Sequence, residues 1–140
     1  MPSSANCCRV LVVDDDAVIR RAITTLFVRF GYPAMKADGS LAAIDQALQI
    51  HHDLIMSDFD MPAVNGYHLA CRIKKDNPDT RVVLMTSSGR SQAAEFIHCR
   101  EVDSWLFKPF SIQAISNIMT HLGLPNAFAA KIPAPRRSVG

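Results

Sequence analysis

The chain has 140 residues, 49% hydrophobic and 20% charged, with a formal net charge of +2 and a pI near 8.4. That is enough for one well-buried core, and its scattered Lys and Arg do not make a nucleic-acid footprint. No apolar run approaches the ~20 residues that cross a bilayer, and Met1-Pro2-Ser3-Ser4-Ala5-Asn6 lacks the basic start and apolar stretch of a signal peptide.

Cys7 and Cys8 are adjacent, while Cys71 and Cys99 stand alone, so neither a C-x-x-C pair nor zinc spacing exists. Free thiols in a reducing compartment are the expectation, with the chain in the cytoplasm. His51, His52, His68, His98 and His121 show no H-x-x-x-H spacing and read as surface or packing residues.

The first predicted element is Val10-Leu11-Val12-Val13, an unbroken apolar run read as a strand buried on both faces. It ends in Asp14-Asp15-Asp16, and stacked carboxylates raise one another's pKa unless a cation sits among them. Ala17 to Phe30 carries Ile19, Ala22, Ile23, Leu26 and Phe30 at helical spacing, with Asp16 as N-cap and Gly31 as stop. Pro33 to Ala37 is a weakly patterned strand. Ser40 is read as the cap of a helix over Leu41 to Gln49, with Leu41, Ile44 and Leu48 facing inward.

Leu54-Ile55-Met56-Ser57 forms the next buried strand and runs into Asp58, repeating the acidic strand end. A turn, Met61-Pro62-Ala63-Val64-Asn65-Gly66, leads to a helix from Tyr67 to about Lys75, which Asn77-Pro78-Asp79 breaks. Arg81 to Met85 is a strand ending at Thr86. Ser87-Ser88-Gly89-Arg90-Ser91 opens a helix to Cys99, and Trp105-Leu106-Phe107 is the last strand, ending at Lys108-Pro109. Ser111 caps a closing helix with Ile112, Ile115, Ile118 or Met119, and Leu122 inside; Gly123 and Pro125 stop it.

Strands alternating with helices imply an α/β fold: a doubly wound, five-stranded parallel sheet in the flavodoxin-like order 2-1-3-4-5, with helices on both faces and the crevice at the carboxyl ends. Residues 1–8 are expected to be an N-terminal extension, 9–123 the folded domain and 124–140 a flexible tail or linker rich in Ala, Pro and Arg. Whether the chain is complete or the front of a longer protein stays open. Met1 suits a native start, and Ile132-Pro133-Ala134-Pro135-Arg136-Arg137 suits an interrupted linker.

Each buried strand then delivers a functional group to one edge: Asp14 and Asp15, Asp58, Thr86 and Lys108. Polar strand ends explain any one of these, but explain poorly several aspartates gathered without a counter-ion. Val12-Val13-Asp14-Asp15, Ser57-Asp58-Phe59-Asp60-Met61-Pro62 with Gly66, Met85-Thr86-Ser87 and Lys108-Pro109-Phe110 together resemble the signature set of response-regulator receiver domains, from about Arg9 to Leu122.

The resemblance implies a two-component phosphoacceptor receiver domain, a signalling unit rather than a turnover enzyme, which assists its own phosphotransfer and autodephosphorylation. Asp58 would take a phosphoryl group from a phosphohistidine on a sensor histidine kinase or phosphotransfer protein. Asp14 and Asp15 would hold Mg²⁺ with Asp58 and the backbone carbonyl of Asp60. Thr86 and Lys108 would bond phosphoryl oxygens, with Lys108-Pro109 cis, and Thr86 and Trp105 would form the switch. A downstream effector would meet the face built from the last two helices and last strand; a phosphorylation-dependent dimer is compatible, and neither nucleic acid nor membrane is a direct partner. Phosphoryl transfer needs an in-line nucleophile and positive charge on the equatorial oxygens, and Mg²⁺ favours a few carboxylates with waters and phosphate oxygens.

The sequence departs from the family at Trp105, where Tyr or Phe is usual, and at Glu101, where Gly is common before the last strand. Asp60 and Ser88 stand where the family tunes phosphoryl lifetime. Ala114 and Ile118 replace the charged residues that pair across winged-helix dimers. Two rivals remain. Asp58-Phe59-Asp60 is also the D-x-D of haloacid-dehalogenase-like phosphatases, yet Pro62 stands where that motif wants Thr or Val, and Asp14-Asp15 goes unexplained. An interaction module that is never phosphorylated is the other.

Overall fold

A computed structural model describes residues 7–62, 64–87 and 95–131. Its elements are β1 (Val10–Val13), α1 (Ala17–Arg29), β2 (Ala34–Ala37), α2 (Ser40–Gln49), β3 (Leu54–Asp58), α3 (Gly66–Asp76), β4 (Arg81–Thr86), β5 (Ser104–Phe107) and α4 (Ile112–His121). All neighbouring strands run parallel, in the order β2-β1-β3-β4-β5. The β1, β3 and β4 runs are central, so both faces need apolar cover. Their side chains divide by parity: Val10, Val12, Met56 and Met85 pack into one core with Ile23, Phe27, Ile115 and Met119, while Leu11, Val13, Ile55 and Leu84 pack into another with Ala43, Leu69 and Ile73. The sheet is thus clad by α1 and α4 on one side, and by α2 and α3 on the other.

The expected caps on α1 and α4 form. Asp16 accepts from the amides of Val18 and Ile19, and Ser111 Oγ accepts from the amide of Ala114 at 3.2 Å. Gly31, at φ 90°, turns the chain away after α1.

Three helix readings need correction. On α2 the buried residues are Ser40, Ala43 and Ala47, while Leu41 and Leu48 are 69% and 54% exposed. The period holds but its phase is one residue off, because small side chains let this helix lie close to its neighbours. Ser40 is not the N-cap: Gly39 holds that position, and Ser40 Oγ donates to the Val64 carbonyl at 2.7 Å. On α4, Ile112 is exposed, while Ile118 is buried beside Ile115 and Met119. Ile118 therefore serves the core, which removes it from any dimer comparison.

The segment read as a flexible tail departs from that expectation over residues 124–131. Phe128 is fully buried, with its ring 5.4 Å from that of Phe27 and 4.5 Å from that of Phe30. Tyr32 Oη donates to the Pro125 carbonyl at 2.6 Å and accepts from the Ala127 amide at 2.9 Å. Asn126 Nδ2 donates to the Ser116 carbonyl at 2.9 Å and to Thr120 Oγ1 at 2.8 Å. A lone aromatic in a periodicity-free stretch gives too little signal to reveal this anchor. Met1–Asn6, Ala63, Ser88 and the Pro-rich stretch after Lys131 lie outside the described residues. So does most of the helix expected over Ser91 to Cys99; its described end forms turns, with the Cys99 amide on the Phe96 carbonyl at 3.0 Å.

Candidate functional site

β1 and β3 lie side by side in register, Val13 opposite Ser57, so the residues that follow them emerge together at the carboxyl edge. Asp14, Asp15 and Asp58 each present a carboxylate oxygen there, all within 4.8 Å of one another. From the opposite flank, Lys108 follows β5, its amide donating to the Thr86 carbonyl at 2.7 Å. Its ammonium lies 3.1 Å from Asp14 Oδ2 and 3.5 Å from Asp58 Oδ1. Residues remote in sequence thus meet in one pocket, and a single cation bridges two of its carboxylates.

Local structure fixes each acid. Asp14 is fully buried; its Oδ1 accepts from the Asp16 amide at 2.9 Å, and its carbonyl accepts from Arg20 Nη1 at 2.6 Å. Asp58 is 7% exposed, with Oδ1 3.4 Å from the amide of Asp60. The chain passes so tightly behind it that a Cβ on Gly66 would stand 2.7 Å from the Asp58 carbonyl oxygen and 2.9 Å from Phe59 Cα. Only glycine permits that approach. Burial pushes the Asp58 carboxyl up to about 6; the Lys108 ammonium pulls it down, and the Asp14 carboxylate adds to the rise. Three carboxylates facing one ammonium leave an excess of negative charge. With hard oxygen donors and little room, the set fits Mg²⁺, which takes a few carboxylates and completes its shell with water or phosphate oxygens.

Thr86 ends β4 fully buried, and Trp105 lies one strand over on β5. The indole is half-buried, its ring centroid 5.7 Å from that of Phe59, the residue following Asp58. Its Nε1–H is buried and, among the described residues, has no acceptor. Phe59 also lies 5.5 Å from Phe96, and Phe96 lies 4.5 Å from Tyr67. This aromatic layer behind the acid was missed in the sequence, where Phe59 reads only as the spacer between two aspartates; its apolar bulk inside an acidic turn was the available signal. Arg20 was missed too, hidden among helix-surface cations. The Lys108–Pro109 bond is cis, as expected. Glu101 is half-buried in a turn that closes with the Val102 amide on the Cys99 carbonyl at 3.2 Å.

Comparison with known proteins agrees with this geometry. The family profile described as the response regulator receiver domain matches residues 10–120. The DNA-binding transcriptional regulator NtrC of Azospirillum brasilense is 30% identical over 125 residues, covering 89% of this chain and 26% of its own length. The transcriptional regulatory protein ResD of Bacillus subtilis is 31% identical over 103 residues, covering 74% of this chain and 42% of its own length. This chain therefore spans less than half of either relative. Among solved structures, the response regulator TrrA of Thermotoga maritima, in complex with Mg²⁺ and BeF, superposes with a TM-score of 0.73 at 25% identity, covering 82% of this chain and 98% of that one. The chemotaxis protein CheY4 of Vibrio cholerae gives 0.75 at 22% identity over the same shares and speaks for the fold alone.

Proposed function

Since the chain belongs to the response regulator receiver domain family, a signalling family of two-component systems, we propose that Asp58 is its phosphoacceptor and that phosphorylation there switches a partner-binding surface. The observation that carries this reading is the meeting of Asp14, Asp15 and Asp58 within 4.8 Å under the Lys108 ammonium.

In the proposed reaction an Asp58 carboxylate oxygen attacks the phosphorus of a phosphohistidine on a kinase or phosphotransfer protein. The new O–P bond forms as the P–N bond breaks, and the imidazole leaves with a proton. Asp58 must be ionised to attack; with its carboxyl at about 6 it is largely so at neutral pH, and Lys108 helps to keep it so. Asp14, Asp15, Asp58 and the Asp60 carbonyl would hold Mg²⁺. When bound, the ion supplies positive charge to the transferring phosphoryl oxygens. Lys108 bonds one phosphoryl oxygen, and the Thr86 hydroxyl another. Water attack on the acyl phosphate releases inorganic phosphate and returns Asp58 to its carboxylate.

Phosphorylation replaces one carboxylate charge with nearly two. One unit charge at ~4 Å from an ammonium is worth about 4 kcal/mol at an effective dielectric of 20, comparable to the gap between two packed states. Thr86 and Trp105 are the proposed two-state element, and the face of β5 and α4 the surface that a downstream effector reads. Among the described residues no helix is long and apolar enough to cross a membrane, and we place the chain in the cytoplasm with its kinase.

The test is intact mass after incubation with Mg²⁺ and acetyl phosphate. Wild type should gain one phosphoryl group and Asp58→Asn none; equal gain in both would reject the assignment. The sequence contains one Trp, so emission in the same tube reports on Trp105. Full phosphorylation with unchanged emission would retain the acceptor and reject the switch.

A further inference from the structure

We infer that Cys71 and Cys99 form a dithiol site, which a low-molecular-weight disulfide such as oxidised glutathione closes into a bridge between α3 and the turn before β5. The inference does not depend on which aspartate accepts a phosphoryl group. Tyr67, Cys71 and Lys74 follow one another along a single face of α3. Both ends of that face meet the segment that leads into β5. The Tyr67 ring centroid lies 4.5 Å from that of Phe96, and Lys74 Nζ lies 2.6 Å from Asp103 Oδ2. Cys99 stands between Phe96 and Asp103, as Cys71 stands between Tyr67 and Lys74. The two outer pairings therefore bracket the thiols and bring them to one level of the interface.

The backbone holds this register. The Cys99 amide donates to the Phe96 carbonyl at 3.0 Å, and the Cys99 carbonyl accepts from the Val102 amide at 3.2 Å. Asp103 is tied to β4, its Oδ2 accepting from the Val82 amide at 2.7 Å. Val102 is buried in the same core as Leu69, Ala70 and Ile73 of α3. The Tyr67 phenol reports on the space between the two segments. It is hydrogen-bonded to the Cys71 thiol, and that bond, then burial, then the charges of Cys71, Glu101 and Cys99 hold its pKa above the ordinary 10. One hydroxyl thus has both sulfurs in its neighbourhood.

Both thiols are half-buried, whereas Cys8 is buried and its thiol is pushed up to about 12, chiefly by that burial. Reactivity belongs to thiolates that a small reagent can reach, which favours the pair over Cys8. In the exchange one cysteine thiolate attacks a sulfur of the small disulfide; the new S–S bond forms as the old one breaks, and one small thiolate leaves. The second cysteine thiolate attacks the protein sulfur of that mixed disulfide and expels the other small thiolate. Two protein thiols are oxidised, one small disulfide is reduced to two thiols, and the cysteine protons end on the leaving groups. A dithiol reductant reverses both steps. The bridge holds the Phe96 turn against Tyr67, and Phe59 lies 5.5 Å from Phe96 and 5.7 Å from Trp105. Oxidation therefore stiffens the aromatic layer behind Asp58. In a reducing compartment such a pair is a redox sensor, not a permanent staple.

The test incubates the full chain, with no phosphoryl donor, in glutathione buffers of rising oxidised fraction, and reads peptide maps prepared without reduction. The map should join the Cys71 peptide to the Cys99 peptide with the loss of two hydrogens. That link should persist in Cys7→Ser and vanish in Cys71→Ser and in Cys99→Ser, with both variants melting as reduced wild type does. Closing a loop of about 28 residues should slow amide exchange over residues 96–102 by about tenfold or more, and dithiothreitol should restore it. Absence of the link at every ratio, a link through Cys7 or Cys8, a bridge between two chains, or glutathione left unresolved on Cys71 or Cys99 would overturn the proposal. So would a link that leaves exchange over residues 96–102 unchanged.

Discussion

Replacing Asp58 with asparagine should stabilise the metal-free protein. The Asp58 carboxyl rises from 3.8 to about 6 on folding, chiefly through burial, even with Lys108 beside it. A rise of that size corresponds to roughly 3 kcal/mol of preference for the protonated form. Because the folded value lies above the unfolded one, the relative stability is fully present below pH 3.8 and is lost as pH rises through about 6. At pH 7 in EDTA the wild type carries the whole cost. The neutral amide would remove it and leave the Lys108–Asp14 pair, 3.1 Å apart, undisturbed. The amide gives up the ionic contact with Lys108, and that contact is already counted in the carboxyl's net shift. Urea unfolding at pH 7 should therefore place Asp58→Asn about 1–3 kcal/mol above wild type, and at pH 4.5 the gap should shrink to less than half. A variant equal to or weaker than wild type at pH 7, or a gap independent of pH, would refute the electrostatic account of this pocket.

Titrating Mg²⁺ into wild type should raise its stability by about 1.4 kcal/mol at ten times the dissociation constant, with a much smaller gain in Asp14→Asn; equal gains in both, by urea unfolding, would place the ion elsewhere. Gly66→Ala should lose about 1–3 kcal/mol or more and slow acetyl-phosphate labelling, since its Cβ would stand 2.7 Å from the Asp58 carbonyl oxygen. Phe128→Ala should cost about 3–5 kcal/mol, which denaturation measures directly; a loss below ~1 kcal/mol would mean that residues 124–131 do not stay docked. His52 is buried, and that burial lowers its pKa, so stability held at pH above the ordinary value of 6.5 should fall as pH drops through it; His52→Gln should flatten that limb of the profile.

The sheet and most of the pocket were legible because both rest on signals the backbone enforces. Val10–Val13, Leu54–Asp58 and Arg81–Thr86 are continuous runs with one reading as central strands, and parallel connectivity sends their ends to one edge. Asp14, Asp15, Asp58 and Lys108 follow from that without further information. What could not be read depends on which face of an element touches what. The inward side of α2 is decided by Ala43 and Ala47, whose small volume sets the helix near its neighbours, and hydrophobicity ranks Leu41 and Leu48 above them. Phe128 is placed by Tyr32, Phe27 and Phe30, contacts that span about a hundred positions and leave no local period. The aromatic layer of Phe59, Phe96 and Trp105 is likewise a tertiary fact.

The two irregularities of the site have similar magnitudes, and that similarity bears on how a signal would leave it. Ionised Asp58 carries a cost of roughly 3 kcal/mol, chiefly from burial. Trp105 packs on Phe59 with its indole N–H buried and, among the described residues, without an acceptor, which costs about 1–3 kcal/mol relative to a conformation that finds one. Lys108 stands between them: its ammonium is shared by Asp14 and Asp58, and its amide is tied to the Thr86 carbonyl beside β5. A phosphoryl group on Asp58 would draw that ammonium with a gross energy of about 4 kcal/mol, enough to exceed the indole's penalty but not by much. The packed core beneath, with β1, β3 and β4 buried almost throughout, is what allows a domain to hold both costs at one edge and remain folded.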